Sequence, residues 1–266
     1  SNPTGGVLGG IQTAVVSIVD NDSTAPDSHA PPNPIDGNSF FIYQHYFDFL
    51  SREPESGGYN GWLSILNNCP ASGKDAQGNF CDRIEVSADF FRSPEFQSRG
   101  YFIYRFYSVA LGRNPSYSEF VQDQRRVSGF QTDAELEASK AAFVNDFVSR
   151  PEFRQKYDAV TDPAAYVDAI LATAGVTVPQ KQQLSDDLSA GKKSRAEILR
   201  AIVESQEVYD KYYNTAFVVM QYFGYLRRDP DIHYLDWIKI MDRTGDYRTM
   251  INGFVNSIEY RRRFGP

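Results

Sequence analysis

Two polar residue types recur at fixed offsets from aromatic residues, and they are the best-defined candidates for chemistry. Arginine stands third in Leu-x-Arg-x-Pro, as Arg52, Arg113 and Arg228, in residues 50–54, 111–115 and 226–230. Glutamate stands sixth in Phe-x-x-Ser/Arg-x-Glu-Phe/Tyr, as Glu95, Glu152 and Glu259, with a weaker copy at Glu207. A guanidinium is a planar fork of donors, so three free arginines could bind anions. The alternative is structural: each arginine pairs a carboxylate, or caps the last carbonyls of a helix, and fixes local packing. A ligand site is rarely needed three times in one chain. Recurrence therefore assigns Arg52, Arg113, Arg228, Glu95, Glu152 and Glu259 to structure.

The other chemistry-bearing residues form no legible site. His29, His45 and His233 are scattered. The chain has no His-x-x-x-His, no Gly-x-Ser-x-Gly and no phosphate-binding glycine loop. Asp186 and Asp187 are adjacent, so on a helix they point to different faces. No catalytic residue is assigned and no enzyme is expected. A cryptic hydrolase would need a concave pocket with converging titratable groups. Tyr101, Tyr104, Tyr107, Tyr209, Tyr212 and Tyr213 could stack on sugars, but they fall on a repeated helical face and read as core. Arg125-Arg126 and Arg261-Arg262-Arg263 read as solvated helix ends.

Cys69 and Cys81, the only two cysteines, flank a polar, turn-rich loop. In an oxidising compartment a bridge closing such a loop contributes about 3 kcal/mol. Two free thiols are the alternative. Half a zinc site with no histidine nearby is poorly supported.

The 266 residues carry 27 Lys+Arg against 34 Asp+Glu, a net charge of −7, with 41% hydrophobic residues. That is a soluble globular composition, with no basic surplus to attract nucleic acid. No apolar run reaches the roughly 20 residues of a membrane-spanning helix. Aromatic residues are abundant, with 19 Phe and 17 Tyr against 2 Trp.

The elements that must position these residues divide into unlike parts. Residues 1–22 read as a β-branched strand, Ile11 to Val19, followed by an Asp-Asn-Asp turn. The opening inside a strand, with no leader, suggests a piece of a longer chain. Residues 23–38 carry Pro26, Pro31, Pro32 and Pro34 and read as an extended linker. From residue 39 to 266 the pattern is helical. Nine, eight and four residues before each motif leucine stand Phe41, Ile42 and Tyr46, then Phe102, Ile103 and Tyr107, then Phe217, Val218 and Tyr222. These offsets make one helical face, which the motif proline ends. The glutamate motifs follow at intervals of roughly 55 residues, which marks an internal repeat. Four units result, about 39–98, 99–158, 159–210 and 211–264. Each reads as helix A up to the arginine motif, helix B, which carries Trp62 or Trp237 in the first and last units, and helix C into the glutamate motif. The third unit has residues 171–175 where the arginine motif should be. The fold class is all-α, an array of four degenerate three-to-four-helix repeats and roughly twelve to sixteen helices, with a short N-terminal β-strand arm.

Both parts carry a resemblance. Asn2-Pro3-Thr4-Gly5-Gly6, Leu8-Gly9 and Ile18-Val19-Asp20-Asn21-Asp22 resemble the last strand of a Calx-beta domain. Calx-beta modules are extracellular or regulatory β-sandwiches, some of which bind calcium at this end. The resemblance implies calcium at Asp20 and Asp22, but Asn21 replaces a carboxylate of the calcium-binding members. A polar strand end leading into a turn is the alternative reading. From about 39 to 264, Tyr46, Leu50, Arg52, Pro54, Gly58, Trp62, Phe90, Ser93, Glu95 and Phe96 resemble a bacterial domain-of-unknown-function family related to the phycobilisome linker domain. That family brings no established catalytic residues. It implies a helical interaction or assembly module in a secreted or cell-surface protein.

The expected function is non-enzymatic interaction or assembly outside the cell, with a protein or a cell-surface polysaccharide as partner. A carbohydrate-binding module using exposed Tyr or Trp is the alternative. No cofactor is expected beyond calcium at the Calx-beta remnant. The unpaired strand 11–19 gives two outcomes, a dimer through the arm or a poorly ordered arm on a monomeric body.

Overall fold

The computed structural model of the protein describes residues 33–129 and 132–265. The expected strand, with Asp20 and Asp22, and the linker as far as residue 32 lie outside the described residues. The described body begins earlier than the linker expectation allows. Asn33 caps a 3-10 turn, Pro34–Asp36, whose Ile35 is 2% exposed. The Asn33 side chain reaches the Arg261 carbonyl at 3.1 Å, and Asp36 pairs Arg261 at 2.6 Å. Residues 33–38 therefore belong to the packed body.

The helices are α1 (Asn38–Leu50), α2 (Ser56–Asn68), α3 (Arg83–Arg92), α4 (Pro94–Ser98), α5 (Gly100–Phe106), α6 (Tyr117–Val127), α7 (Asp133–Ser149) and α8 (Pro151–Tyr157). Then follow α9 (Pro163–Ala174), α10 (Lys181–Ser189), α11 (Arg195–Val203), α12 (Gln206–Gln221), α13 (Tyr234–Thr244), α14 (Tyr247–Val255) and α15 (Ile258–Arg261). The described residues hold no strand, only an isolated bridge between Lys74 and Phe80. The fold is all-α.

The two motifs set the helix ends. The motif leucine is the last helical residue each time, and the next residue is left-handed: Ser51 (φ 53°), Gly112 (φ 72°) and Arg227 (φ 53°). The last turn is wide. The Ser51 N–H reaches back five residues to the Tyr46 carbonyl, and the Gly112 N–H reaches Tyr107 and Ser108. In α5 and α12 the widening becomes a π-turn, Tyr107–Leu111 and Tyr222–Leu226. In the third unit α9 runs on to Ala174 and ends on left-handed Gly175 (φ 59°). The degenerate motif, aligned on Leu171, places the helix end too early. The left-handed cap is kept, three residues later than that alignment implies, and Val176 follows it in place of arginine.

At the second motif, the Ser93, Ser205 and Ser257 hydroxyls accept from the N–H three residues on, and open α4, α12 and α15. Arg150 holds the equivalent position before α8 and makes no such bond.

Helix α5 is buried on every face from Gly100 to Phe106, and α12 with its π-turn is buried from Ala216 to Tyr225. These helices touch each other at the centre, and the amphipathic helices surround them. An open array would give each unit only its sequence neighbours. Instead α1 packs on the π-turn after α12, and α3 packs on α14, so the first and fourth units meet. Gly224 permits this: a Cβ there would lie 2.5 Å from the Phe49 ring. Tyr247 on α14 also donates to Glu85 of α3 at 2.6 Å. The first and fourth units therefore touch directly, in addition to the contacts between sequence neighbours.

The cysteines are bonded, with Cα atoms 5.5 Å apart, and close the loop between α2 and α3. Inside it the Cys81 N–H donates to the Gly73 carbonyl at 3.0 Å.

Candidate functional site

Each motif arginine sits in the same four-part cluster. Arg52 forks onto both oxygens of Glu95, with both bonds at 2.6 Å. Arg113 forks onto Glu152 at 2.9 and 2.6 Å, and Arg228 onto Glu259 at 2.7 and 3.1 Å. A remaining donor reaches the carbonyl of the next residue: Glu53, Asn114 or Asp229. The guanidinium lies over the tyrosine six positions earlier, 4.9 Å from the Tyr46 ring, 5.3 Å from Tyr107 and 5.5 Å from Tyr222. A second carboxylate completes the set: Glu55 at 2.5 Å, Glu119 at 2.8 Å and Asp231 at 3.4 Å.

This geometry favours structure over anion binding. Arg113 and Arg228 each face two carboxylates, so those clusters carry a net negative charge and repel a further anion, while in the Arg52 cluster Arg99, 2.9 Å from Glu95, balances the second carboxylate and leaves no unpaired cation. Glu152 on Arg113, and Glu259 on Arg228, are the leading influences that raise the arginine pKa. For Arg52 burial opposes the charge, and the hydrogen bonds it donates to Glu95 and Glu55 outweigh it. The Arg113 hydrogen bond, helped by the Ser116 backbone N–H, pulls Glu119 down to about 2. The three clusters differ in exposure. The Arg52 side chain is 9% exposed, against 36% for Arg113 and 38% for Arg228. Glu207 follows the unit that lost its arginine, and it has no hydrogen bond or ion pair among the described residues.

A second network lies under the Arg113 cluster. Tyr107 donates to Asp123 at 2.6 Å, and Arg150 grips the same carboxylate at 2.6 and 2.8 Å while also bonding Asp146. Asp123 is 4% exposed, so this pairing satisfies a charge that could not stay buried alone.

His45 lies in a buried hydrogen-bond network. Its Nδ1 lies 2.8 Å from the Phe41 carbonyl, and its Nε2 lies 3.1 Å from Ser87 Oγ and 3.4 Å from Tyr225 Oη. Ser87 and Tyr225 are also hydrogen-bonded to each other. Burial pushes the imidazole down to about 3, so it is neutral, with Nδ1–H donating and Nε2 accepting. A serine beside a histidine is the arrangement of a nucleophile and its base. Here Ser87 and Tyr225 are 0% exposed and His45 is 1% exposed, so no substrate reaches them. No sequence pattern signals the trio, because Ser87 and Tyr225 lie 42 and 180 residues from His45. One local signal exists: Gln221, at the matching position of the fourth unit, makes the same bond to the carbonyl four residues back, at 2.9 Å.

The tyrosines considered for a sugar platform are spent on packing. Tyr101 and Tyr104 are 0% exposed and Tyr107 is 2% exposed. Tyr209, Tyr212 and Tyr213 are half-buried against the core, with Tyr209 bonded to Gln97 and Tyr212 to the Ala174 carbonyl. Trp62 and Trp237 also pack against the core. The reading of residues 261–263 as a solvated end needs correction. Arg261 pairs Asp36, and Arg263, 14% exposed, holds both oxygens of Asp48 at 2.9 Å. Among the described residues no group of three or more His, Cys, Asp and Glu is placed to hold a metal ion. His29 lies outside the described residues, and His233 is exposed near Asp236. Compared with known proteins, the chain matches no family model, no curated protein and no solved structure.

Proposed function

We propose that the chain is a non-enzymatic interaction or assembly module of a secreted or cell-surface multidomain bacterial protein. One observation carries this reading: the groups with chemical potential are used in architecture. The Ser87–His45–Tyr225 trio is sealed, and the motif arginines are each saturated by two carboxylates. The Cys69–Cys81 bond suits an oxidising exterior. Among the described residues no helix is long and apolar enough to cross a membrane. The resemblance to the phycobilisome-linker-related family points to the same role, and the Calx-beta resemblance of residues 1–22 points to a surface protein. Buried rings argue against a sugar platform of exposed Tyr and Trp.

The test incubates the labelled chain with cell-envelope fragments and, separately, with a panel of glycosides, esters and peptides. Saturable retention on the envelope and no turnover are expected. Turnover that disappears on a single side-chain substitution contradicts the reading.

A further inference from the structure

We propose that the cleft between α1, α6 and the π-turn after α12 binds the carboxylate of an acidic sugar residue. The proposal rests on the reading of the chain as a non-enzymatic surface module and names a ligand class for it. The cleft has a volume of about 310 Å³ and is lined by Phe47, Ser51, Tyr117, Val121, Arg125 and Arg227, with Asp48 beside them. That is the lower end of ligand-sized pockets, which suits one or two small rings.

The charge in the cleft is unlike that of the motif clusters. The Asp48 side chain is 3% exposed and is already held by two arginines: Arg227 at 3.0 and 2.9 Å, and Arg263 at 2.9 Å on both oxygens. Arg125 is exposed and has no hydrogen bond or ion pair among the described residues. Three guanidinium groups against the carboxylates of Asp48 and Asp229 leave one positive charge on a molecule whose net charge is −7. The half-buried Tyr117 hydroxyl also lacks a partner among the described residues. Asp229, the other nearby carboxylate, is engaged by the Tyr117 backbone N–H at 2.5 Å.

The wall is apolar and aromatic. Phe47 and Val121 line it, and Tyr43, 40% exposed, continues it with its ring 5.0 Å from that of Phe47. A sugar acid matches this pairing, with its carboxylate on the arginine fork and its C–H face on a ring. A polyacidic peptide fits less well, because the net charge repels it at long range while a single carboxylate needs only the local field.

The backbone supplies a separate argument. Ser51 and Arg227 are the non-glycine residues with positive φ among the described residues, and both line this cleft. The remaining motif copy, in the second unit, has glycine at that position, Gly112, and it faces Thr173 instead. A side chain is kept at a strained position only where it faces the cleft, and such strain collects at functional sites.

The probe is galacturonate, titrated into the full chain by calorimetry and NMR, with galactose and acetate as controls. Saturable binding by galacturonate, at least tenfold weaker for both controls, is expected. Arg125→Ala should weaken it at least tenfold and Tyr117→Phe severalfold, with unchanged melting because neither group has a partner to lose. No binding by galacturonate, equal binding by acetate, or full binding by Arg125→Ala overturns the proposal. Envelope retention measured on the same preparation separates the outcomes. A chain that is retained but ignores galacturonate refutes the sugar assignment and leaves the module reading intact.

Discussion

Arg52 and Glu95 meet through two parallel hydrogen bonds of 2.6 Å, with the guanidinium laid over Tyr46. The pair ties the end of α1 to the start of α4, so it joins the two sequence motifs of one unit. The same tie recurs between Arg113 and Glu152 and between Arg228 and Glu259. Exposure ranks the three.

Arg52→Ala should cost about 1–2 kcal/mol, because it takes the buried fork from Glu95, which keeps only Arg99 at 2.9 Å, and takes the ion pair from Glu55. Arg113→Ala should cost about 1 kcal/mol or less, since its side chain is 36% exposed and Glu152 is 51% exposed. Sequence alone suggests a larger loss at Arg113, on the premise of a buried partner. Urea midpoints of the two variants decide the order. Equal losses would show that burial does not control these pairs.

Acid should destabilise the protein in two windows. His45 has a folded pKa near 3 against an unfolded value of 6.5, so below pH 6.5 the unfolded chain binds a proton that the folded chain refuses. Stability then falls as pH drops from 6.5 toward 3. Arg83 and Arg263 add to the effect, and Ser87 and Tyr225 supply no charge to offset it. Glu119 is depressed to about 2 from 4.5, so its contribution is complete above pH 4.5 and is lost as pH falls toward 2. His45→Gln copies the residue that the fourth unit carries at the matching position, Gln221, and should flatten the urea midpoint between pH 7 and 4.5. An unchanged slope would show that His45 is not the titrating group.

Gly224→Ala should destabilise by about 1–3 kcal/mol, because the new methyl meets the Phe49 ring at 2.5 Å in a packed seam. Gly253→Ala, where a Cβ meets nothing within 4 Å, is the control. If both variants melt alike, α1 and the π-turn are not in close contact.

Reduction of Cys69–Cys81 should lower stability by about 3 kcal/mol. Intact mass after alkylation checks the bond itself: no label is expected without reductant, and two labels with it.

Local signals carry much of this fold. The motif leucine and proline mark the end of α1 and of the π-turns that follow α5 and α12, the serines mark the caps of α4, α12 and α15, and the lone cysteine pair marks its loop. Each depends on residues within a few positions of one another. What stays hidden depends on distance along the chain. The contact of Gly224 with Phe49, the grip of Arg263 on Asp48 and the trio at His45 join the first unit to the fourth. No periodicity announces them. The cap at Gly175 escapes the motif alignment because the alignment follows the leucine, while the helix end follows the left-handed residue. Arg125 looks like any solvated arginine in the sequence, and only the cleft distinguishes it.

The central claim is a division of labour: the repeated arginines hold the fold, and the unrepeated Arg125 meets a ligand. Galacturonate affinity and melting temperature, measured together on Arg52→Ala and Arg125→Ala, test it most directly. Arg52→Ala is expected to melt lower and still bind, while Arg125→Ala melts like the parent and binds at least tenfold more weakly. The reverse pattern, with binding lost at Arg52 and kept at Arg125, would contradict it.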